Sequence, residues 1–441
     1  MKRLLSLLLC VVLALFCATT AQAAGVSITL TASEYALHYA FDAGAQDLFV
    51  ILEYTTPAEK GWMMLYSEDG HFEGDVSLAY SGAGGKTSVA LTSARTTGSI
   101  GKASTTLPKA ADYQKPTGKS NAKVTDFVLT ETPEGFHYTF NAAGTDYMLL
   151  YWRSKEQTVT QPVYPDENGH YEGDVVSELT FARTQFTVQV KSGSGSMKKE
   201  ATVRKGYQAP EAPQRQEGRL SGVTVCIDAG HQENGRFVNE PIGPGLTGST
   251  SGKGGMAQGT KTNRRESIVC LEIGMLLRDE LLRQGANVIM TREDQTTFHT
   301  NIERCEIAEA GGAQIMLRLH CNNSSNHSKR GIQVYGPLNS DYAKAVADAD
   351  TYREMGQKLL DAMKTRVGMT LANSTGMVRL NDNYVGNNWA KMMCFLVEMG
   401  YLSNPAEEYL LVTPVYQQWL AEGMADGVYE IAVARGWVQA Q

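Results

Sequence analysis

Hydrophobic and polar residues follow a different period in the two halves of the chain. In the first half, apolar residues such as Phe136, Tyr138 and Phe140 alternate with polar neighbours, which is the two-residue period of a half-buried β-strand. Turn residues at 68–70 and 166–169 separate such runs. Short strands with turns at regular spacing predict β-sandwich modules of immunoglobulin or fibronectin type.

From Leu220 onward, apolar strands alternate with stretches of helical period. The predicted strands are 223–227, 287–291, 314–319 and 393–397, and the predicted helices are 266–284, 301–310, 352–367 and 414–435. This order predicts an α/β domain whose mainly parallel sheet has helices on both faces.

The first half also contains an internal repeat. The segment at 38–41 matches that at 137–140, and 70–76 matches 169–175, both at a distance of 99 positions. The pattern predicts two β-sandwich repeats, a Pro-containing spacer and a larger third domain. Their predicted bounds are 25–116 and 122–210 for the repeats, 211–219 for the spacer and 220–438 for the third domain.

The N-terminus has the pattern of a secretory signal peptide. Lys2 and Arg3 precede an uncharged apolar run, and Ala21-Gln22-Ala23 has the small-x-small pattern of a cleavage site. We therefore expect residues 1–23 to be removed and the protein to be secreted. The apolar run is shorter than a membrane span requires, and we expect no membrane span in the mature chain.

The charge balance disfavours nucleic acid as a partner. Forty Lys and Arg face 47 Asp and Glu, a formal net charge of −7 that becomes −9 without Lys2 and Arg3. An acidic chain without a basic cluster binds polyanions poorly.

Five cysteines remain after the predicted signal peptide, an odd number with no CxxC spacing. A secreted disulfide framework is normally dense and even, so buried free thiols are favoured, with one bridge left open. The five are Cys226, Cys270, Cys305, Cys321 and Cys394.

Chemistry-bearing residues follow the predicted strands of the second half. His231 follows the first strand, Glu266 begins the first helix, and His320 follows the strand 314–319. Each has an ordinary structural explanation, because a strand-end histidine can be merely hydrogen-bonded and a helix-start glutamate can stabilise the helix dipole. Two imidazoles and a carboxylate at one sheet edge nevertheless form a catalytic zinc set. Glu398, after the strand 393–397, is suited to accept a proton there, or is a salt-bridged acid.

Four sequence blocks resemble one enzyme family. They are residues 227–231, the helix start at Glu266, residues 319–322 and residues 396–408. Over roughly 220–437 the chain is similar to the zinc-dependent N-acetylmuramoyl-L-alanine amidases, which are bacterial cell-wall hydrolases. The resemblance implies peptidoglycan as substrate and cleavage of the amide between N-acetylmuramic acid and L-alanine.

The resemblance also implies roles for individual residues. It implies one Zn²⁺ held by His231, Glu266 and His320, with Glu398 as catalytic acid and base. Asp228 would support His231 or cap the following turn, and Arg304 would be structural. Asn322 and Asn388 would line the substrate groove, with 383–389 as one wall.

Two further features are the departures from the family pattern and the glycine-rich loop. Cys270, Cys321 and Arg318 depart from residues frequent in the family, yet none of these departures removes a predicted ligand. The glycine-rich loop at 233–264 lacks the Gly-Lys-Ser/Thr of a phosphate-binding loop, so we expect it to border the substrate groove instead.

Three hypotheses remain open from the sequence. The first is a secreted peptidoglycan amidase whose β-sandwich repeats attach to a wall polymer or a protein. The second is an inactive wall-binding or adhesion protein, which the intact set of four site residues disfavours. The third is a zinc peptidase that cleaves within the stem peptide.

The repeated His71 and Glu73 suggest a second metal site only weakly, because a surface turn explains them.

Overall fold

A computed structural model describes most of the chain and divides it into two compact units. The first unit contains the residues before 205 apart from 94–97 and 181–184, and the second contains the rest. The described residues are 19–21, 25–113, 123–133, 135–145, 147–154, 157–176, 185–193, 195–204, 209–232, 238–250, 255–368 and 377–440.

The first unit consists of antiparallel strands. They are β1 (Thr19–Ala21), β2 (Ile28–Ala32), β3 (Ala36–Asp42), β4 (Phe49–Thr55), β5 (Glu59–Tyr66), β6 (His71–Ser77), β7 (Gly85–Ser93), β8 (Ser99–Leu107), β9 (Thr125–Thr132), β10 (Gly135–Asn141), β11 (Met148–Arg153), β12 (Gln157–Val163), β13 (His170–Val176), β14 (Gln185–Lys191) and β15 (Met197–Arg204). The three sheets have the orders β1-β2-β3-β6, β13-β10-β9 and β15-β14-β11-β12-β5-β4-β7-β8.

The strands enclose two hydrophobic cores, one in residues 25–113 (module 1) and one in residues 123–204 (module 2). Each core contains an aromatic stack between corresponding strands. Phe41 lies on Phe72 with ring centroids 4.9 Å apart, and Phe140 lies on Tyr171 at 4.4 Å. The pairing of β5 with β12 joins the two modules into one continuous eight-stranded sheet.

The repeated Glu-Gly-Asp segment contains glycine for the same steric reason in both modules. A Cβ atom on Gly74 would lie 2.7 Å from the hydroxyl of Tyr39, and one on Gly173 would lie 2.6 Å from that of Tyr138. Because real Cβ atoms do not approach neighbours this closely, the tyrosine can lie across the strand only where glycine occupies the position.

Exposed histidines and carboxylates alternate along β3 and β6. His38 Nδ1 lies 3.1 Å from Asp75 and its Nε2 lies 3.3 Å from Glu73, while His71 Nδ1 lies 2.6 Å from Asp42 and its Nε2 lies 3.7 Å from Glu73. The carboxylate of Asp42 is the first cause of a raised pKa of His71. The corresponding residues of module 2 are His137, His170, Glu172 and Asp174, with Asn141 in the place of Asp42.

The second unit combines a six-stranded sheet with helices. Its strands are β16 (Thr224–Ala229), β17 (Asn287–Met290), β18 (Ile315–Asn322), β19 (Gln333–Gly336), β20 (Met377–Leu380) and β21 (Met393–Tyr401). Its helices are α1 (Glu266–Arg283), α2 (Asn301–Ala310), α3 (Asp341–Val346), α4 (Ala349–Val367), α5 (Val385–Trp389), α6 (Glu407–Leu410) and α7 (Pro414–Ala434).

The sheet order β17-β16-β18-β21-β19-β20 sets the edge at which the functional strands end. β16 pairs in parallel with β17 and β18, β18 with β21, and β19 with β20, whereas β19 and β21 are antiparallel. The centre of β18 is fully buried, as expected for a central parallel strand. Helices α1, α4 and α7 pack together, and buried residues of α2 join the core on β16, β18 and β21.

The residues predicted to be a spacer are hydrogen-bonded to the second unit. Arg215 donates to the carbonyl of Gly285 (3.0 Å), and Gln216 N–H donates to that of Leu282 (3.0 Å). Two residues of the segment 211–219 are thus bound at the end of α1, and the segment belongs to the second unit. Its polar composition suits this surface because the last turn of a helix offers unpaired carbonyls.

The thiols and the N-terminus are placed as follows. The five cysteines between residues 226 and 394 are buried and free, which confirms the prediction of buried thiols. Most of the predicted signal peptide lies outside the described residues, and its described residues Thr19–Ala21 form β1, paired with β2. None of the helices that the structure describes has the length and apolar character of a membrane span.

Candidate active site

Three parallel strands bring the predicted site residues to one edge of the sheet. His231 follows β16, His320 is near the end of β18, and Glu398 is on β21, where it pairs in register with His320. Since these strands run in parallel, their carboxyl ends meet at the same edge. Glu266, the first residue of α1, reaches that edge from the adjacent helix.

The side chains of His231, Glu266 and His320 converge on one point. Their ligand atoms all lie within 4.8 Å of one another. Glu266 Oε1 is 3.1 Å from His231 Nε2 and 2.9 Å from His320 Nδ1, and the two imidazole rings are 4.9 Å apart, edge to face. Two imidazoles and one carboxylate are the donor set of a three-residue zinc site with an open fourth position. The residues present therefore fit a zinc ion.

Glu266 is fixed by backbone donors on both carboxylate oxygens. Ala257 N–H donates to Oε2 (2.7 Å), and Cys321 N–H donates to Oε1 (3.0 Å). Burial alone would raise the pKa of Glu266, but hydrogen bonds from His231 and His320 outweigh it and hold the pKa well below its usual value. Burial lowers the pKa of His320. Both shifts favour an ionised carboxylate beside a neutral imidazole, the forms that bind metal.

His231 adopts a strained backbone that two buried arginines stabilise. Its φ is +56°, in the left-handed region that a non-glycine residue occupies at some cost. Arg292 donates to the carbonyls of Ala229 and Gly230, each at 2.8 Å. Arg304 donates to the carbonyls of Ala229 (2.9 Å) and His231 (3.2 Å). The planar guanidinium groups thus hold the turn that directs His231 toward Glu266.

Asp228 is fully buried and binds Arg304 and a third arginine, Arg318. Its carboxylate accepts hydrogen bonds from Arg304, from Arg318 Nε (2.9 Å) and from Thr291 Oγ1 (2.8 Å). Burial opposes its ionisation, but the two arginines outweigh it and lower the pKa of Asp228. Asp228 therefore acts on His231 through Arg304. Arg318, which departs from the family pattern, is the second cation of this cluster.

Glu398 is half-buried beside the ligand set and lacks a complete set of hydrogen bonds. Burial, and after it the negative charge of Glu266, raises the pKa of Glu398 to about 8. Its Oε2 is buried without a hydrogen-bond partner among the described residues. A buried polar atom in this state is disfavoured unless a further group binds it, so this oxygen is suited to a substrate or water proton.

The four residues line a pocket of about 820 Å³. Met256 and Ala257 of the glycine-rich loop line it on one side, and Asn383 and Tyr384 line it on another. The loop residues 233–237 and 251–254 lie outside the described residues. The described part of the loop thus borders the pocket, as does part of the segment 383–389.

The two asparagines predicted for the substrate groove differ in placement. Asn322 is half-buried, lines the pocket and donates to Gln333 (3.2 Å). Asn388 is fully buried and donates to the carbonyls of Ile242 (3.0 Å) and Asp382 (2.9 Å). Asn388 therefore joins two loops behind the pocket instead of lining it, which differs from the prediction. Its position on the short helix α5, which the sequence analysis did not identify, turns its side chain inward.

Sequence analysis also missed two buried glutamates that hold the glycine-rich loop. Glu240 accepts hydrogen bonds from Asn301 and Ile302 N–H at the start of α2, at 3.2 and 2.8 Å. Glu408 accepts from Lys261 N–H (2.8 Å) and Thr262 N–H (3.0 Å). Sequence reasoning could not find these contacts, because Glu240 is 62 residues from Ile302 and Glu408 is 147 residues from Lys261.

Comparison with known proteins gives one consistent result for this region. Residues 225–430 match the family model described as N-acetylmuramoyl-L-alanine amidase. A germination-specific N-acetylmuramoyl-L-alanine amidase of Bacillus subtilis is 26% identical over 231 residues, which are 49% of this chain and 83% of the relative. The probable cell wall amidase LytH of Staphylococcus aureus is 27% identical over 218 residues, 48% of this chain and 60% of the relative.

Solved structures of amidases cover the same half of the chain. The N-acetylmuramoyl-L-alanine amidase of Clostridium difficile 630 has 24% identity and a TM-score of 0.38, covering 48% of this chain and 96% of that one. The amidase Ami1 of Mycobacterium abscessus has 18% identity and a TM-score of 0.43, covering 48% and 99%. Over residues 225–430, the chain is similar to the N-acetylmuramoyl-L-alanine amidases.

Proposed function

We propose that the second unit is a zinc-dependent N-acetylmuramoyl-L-alanine amidase that cleaves the amide between N-acetylmuramic acid and L-alanine in peptidoglycan. The observation that carries the proposal is the convergence of His231, Glu266 and His320 within 4.8 Å in a pocket that also contains Glu398. The similarity of residues 225–430 to amidases supports the choice of bond.

The protein's own residues supply a preorganised site. His231, Glu266 and His320 would hold the zinc ion, and the backbone donors of Ala257 and Cys321 keep the Glu266 carboxylate in place. When bound, the zinc ion would polarise the scissile carbonyl and acidify a neighbouring water. Arg292 and Arg304 fix the turn that carries His231, so little reorganisation is needed on binding.

Glu398 would move the proton. Its unpartnered Oε2 is the atom placed to accept a proton from the attacking water, and the same oxygen would return it to the amine of the leaving L-alanine. Burial raises the pKa of Glu398 above that of an exposed carboxyl, which makes its carboxylate a stronger proton acceptor.

We further propose that the chain is exported through residues 1–23 and works at the cell wall. The two β-sandwich modules are, in this proposal, copies of one ancestral unit that attach the enzyme to the wall or to a wall-associated partner. Their shared aromatic stack and glycine position support a common origin.

Product analysis of digested peptidoglycan tests the assignment. An amidase yields a free muramic carboxyl group and a new N-terminal L-alanine, which mass spectrometry and amino-group labelling detect. Cleavage within the stem peptide would instead establish a peptidase, and absence of any product from the zinc-loaded full chain would favour an inactive wall-binding protein.

A further inference from the structure

The outer face of the eight-stranded sheet contains a second cavity, of about 840 Å³. Residues of β5, β4, β7, β8 and β12 line it, and we name this surface the lysine face after Lys60, Lys86 and Lys102. Trp62, which is 8% exposed and lies outside the core of module 1, also lines the cavity.

Strand register places a row of polar side chains across this face. Thr158 pairs with Lys60, Lys60 with Thr55, Thr55 with Ser88, and Ser88 with Ser104. Directly paired residues project from the same side of a sheet, and neighbouring strands lie about 4.8 Å apart, so the row spans roughly 20 Å. A face of this length can bind several units of an extended polymer.

Charge in module 1 is segregated onto this face. Residues 25–113 contain ten Asp and Glu but only five Lys and Arg, and three of those five cations line the cavity, together with the single acid Glu53. All three lysines are exposed, and none of their ammonium groups forms an ion pair or hydrogen bond within the described part of the chain. Unpaired cations gathered on an otherwise acidic module are complementary to an anionic ligand.

The positions of module 2 that correspond to the three lysines and Trp62 carry other residues. By strand pairing, Lys60, Lys86 and Lys102 correspond to Thr158, Gln185 and Glu200, and Trp62 corresponds to Thr160. Because module 2 forms the same strands without these side chains, the fold does not require them. The combination of these three lysines with Trp62 therefore occurs in module 1 and not at the corresponding positions of module 2.

We propose that the lysine face binds peptidoglycan, with the stem-peptide carboxylates on the lysines and the glycan along the row of Ser and Thr hydroxyls. The proposal rests on the proposed function, which makes peptidoglycan the polymer on which the chain works. Glu53 lies among the lysines, and its negative charge repels a densely charged polyphosphate. The carboxylates of peptidoglycan are spaced further apart, so they can contact the lysines without lying next to Glu53. The Trp62 ring gives the floor an apolar surface for a sugar ring.

Sedimentation of the full-length protein with purified insoluble peptidoglycan tests this proposal. The triple variant Lys60→Gln, Lys86→Gln, Lys102→Gln should bind about tenfold more weakly, the order expected for three exposed ion pairs. The matched control replaces Lys109, Lys123 and Lys199 with glutamine, which changes the net charge by the same amount. Because these exposed lysines of the two modules lie outside the face, the control should bind within about twofold of wild type.

Two further arms separate the outcomes. Peptidoglycan whose carboxyl groups have been amidated should bind wild type as weakly as untreated wall binds the triple variant. Wild type, the triple variant and the control should hydrolyse a soluble muramyl peptide at the same rate. If none of the three hydrolyses it, the proposed amidase activity is refuted, while the binding result is unaffected. Equal sedimentation of the triple variant and the control, or tighter binding to polyphosphate or nucleic acid than to wall, would overturn the lysine-face proposal.

Discussion

Two regions of the molecule contain two histidines around one glutamate, and they differ in burial and convergence. At the sheet edge of the second unit, the side chains of His231, Glu266 and His320 are 24%, 4% and 15% exposed, and their ligand atoms lie within 4.8 Å of one another. On module 1, the side chains of His38 and His71 are 37% and 51% exposed and lie on either side of Glu73.

The comparison shows that the same residue types form a compact cluster in one region and an exposed cross-strand ladder in the other. In the first set, one glutamate oxygen contacts both imidazoles, whereas in the second each glutamate oxygen contacts a different one. No other set of three potential ligands among the described residues is as compact as the first. Backbone donors and buried arginines hold the first set, while the second is a cross-strand ladder in solvent.

The largest effect is expected for Glu398→Gln. Loss of a general acid and base typically lowers the rate by about 10² to 10⁴-fold, and glutamine keeps the shape without accepting the proton. Amide hydrolysis should collapse while the zinc content stays at the wild-type value, because Glu398 is outside the ligand set. Activity within a few-fold of wild type would remove Glu398 from the mechanism.

Asp228→Asn should be the most destabilising of these substitutions. It leaves Arg304 and Arg318 buried without their shared carboxylate, which typically lowers the free energy of unfolding by about 3–5 kcal/mol. Chemical denaturation measures the difference, and Asp350→Asn, at an exposed ion pair, is the control.

The pH dependence of this difference sharpens the test. The folded state lowers the pKa of Asp228, so its stabilising contribution is complete above the unfolded pKa of about 3.9 and declines as pH falls below it. The stability gap between wild type and Asp228→Asn should therefore be constant near neutrality and narrow on acidification. A gap that widens below pH 4 would contradict the assignment of an ionised, arginine-bound carboxylate.

Arg304→Lys should weaken zinc binding without abolishing it. Lysine retains the charge but cannot reach the carbonyls of Ala229 and His231 together, so the turn carrying His231 loses support. Changes to groups that orient a ligand typically weaken metal affinity by about 10 to 100-fold. Competition with a chelator measures this affinity, and Arg366→Lys, far from the ligand set, should leave it unchanged. Unchanged affinity in Arg304→Lys would show that the turn is held by other contacts.

The smallest effect is expected for Glu73→Gln in module 1. Because the ladder is exposed, its charge interactions are screened by solvent, and neither the unfolding midpoint nor the zinc content should change. A fall in zinc content in this variant would mean that the exposed set also binds metal, and the contrast between the two regions would fail.

The sequence predicted the main strands and helices of the second unit well because their apolar periods are long. The bounds of α2 agree residue for residue, and β16 and β21 differ mainly at their ends. The short elements β19, β20, α3, α5 and α6 were missed, since four to six residues contain too few turns of either period to be recognised.

The site was harder to derive than the fold. Strand ends pointed to His231, His320 and Glu398 because parallel strands share an edge. The partners of Asp228 could not be derived, because Arg304 and Arg318 are 76 and 90 residues away and an arginine buried in a helix or strand has no local signature. Asn388 was misplaced for the same reason, since its burial depends on contacts with loop residues near 242.

The most direct test of the account is the zinc content of the full-length protein and of two matched histidine variants. Metal analysis after exhaustive dialysis should give about one zinc per chain in wild type and in His71→Ala, and almost none in His320→Ala. Zinc retained in His320→Ala, or lost in His71→Ala, would contradict the claim that the buried set at the sheet edge is the metal centre.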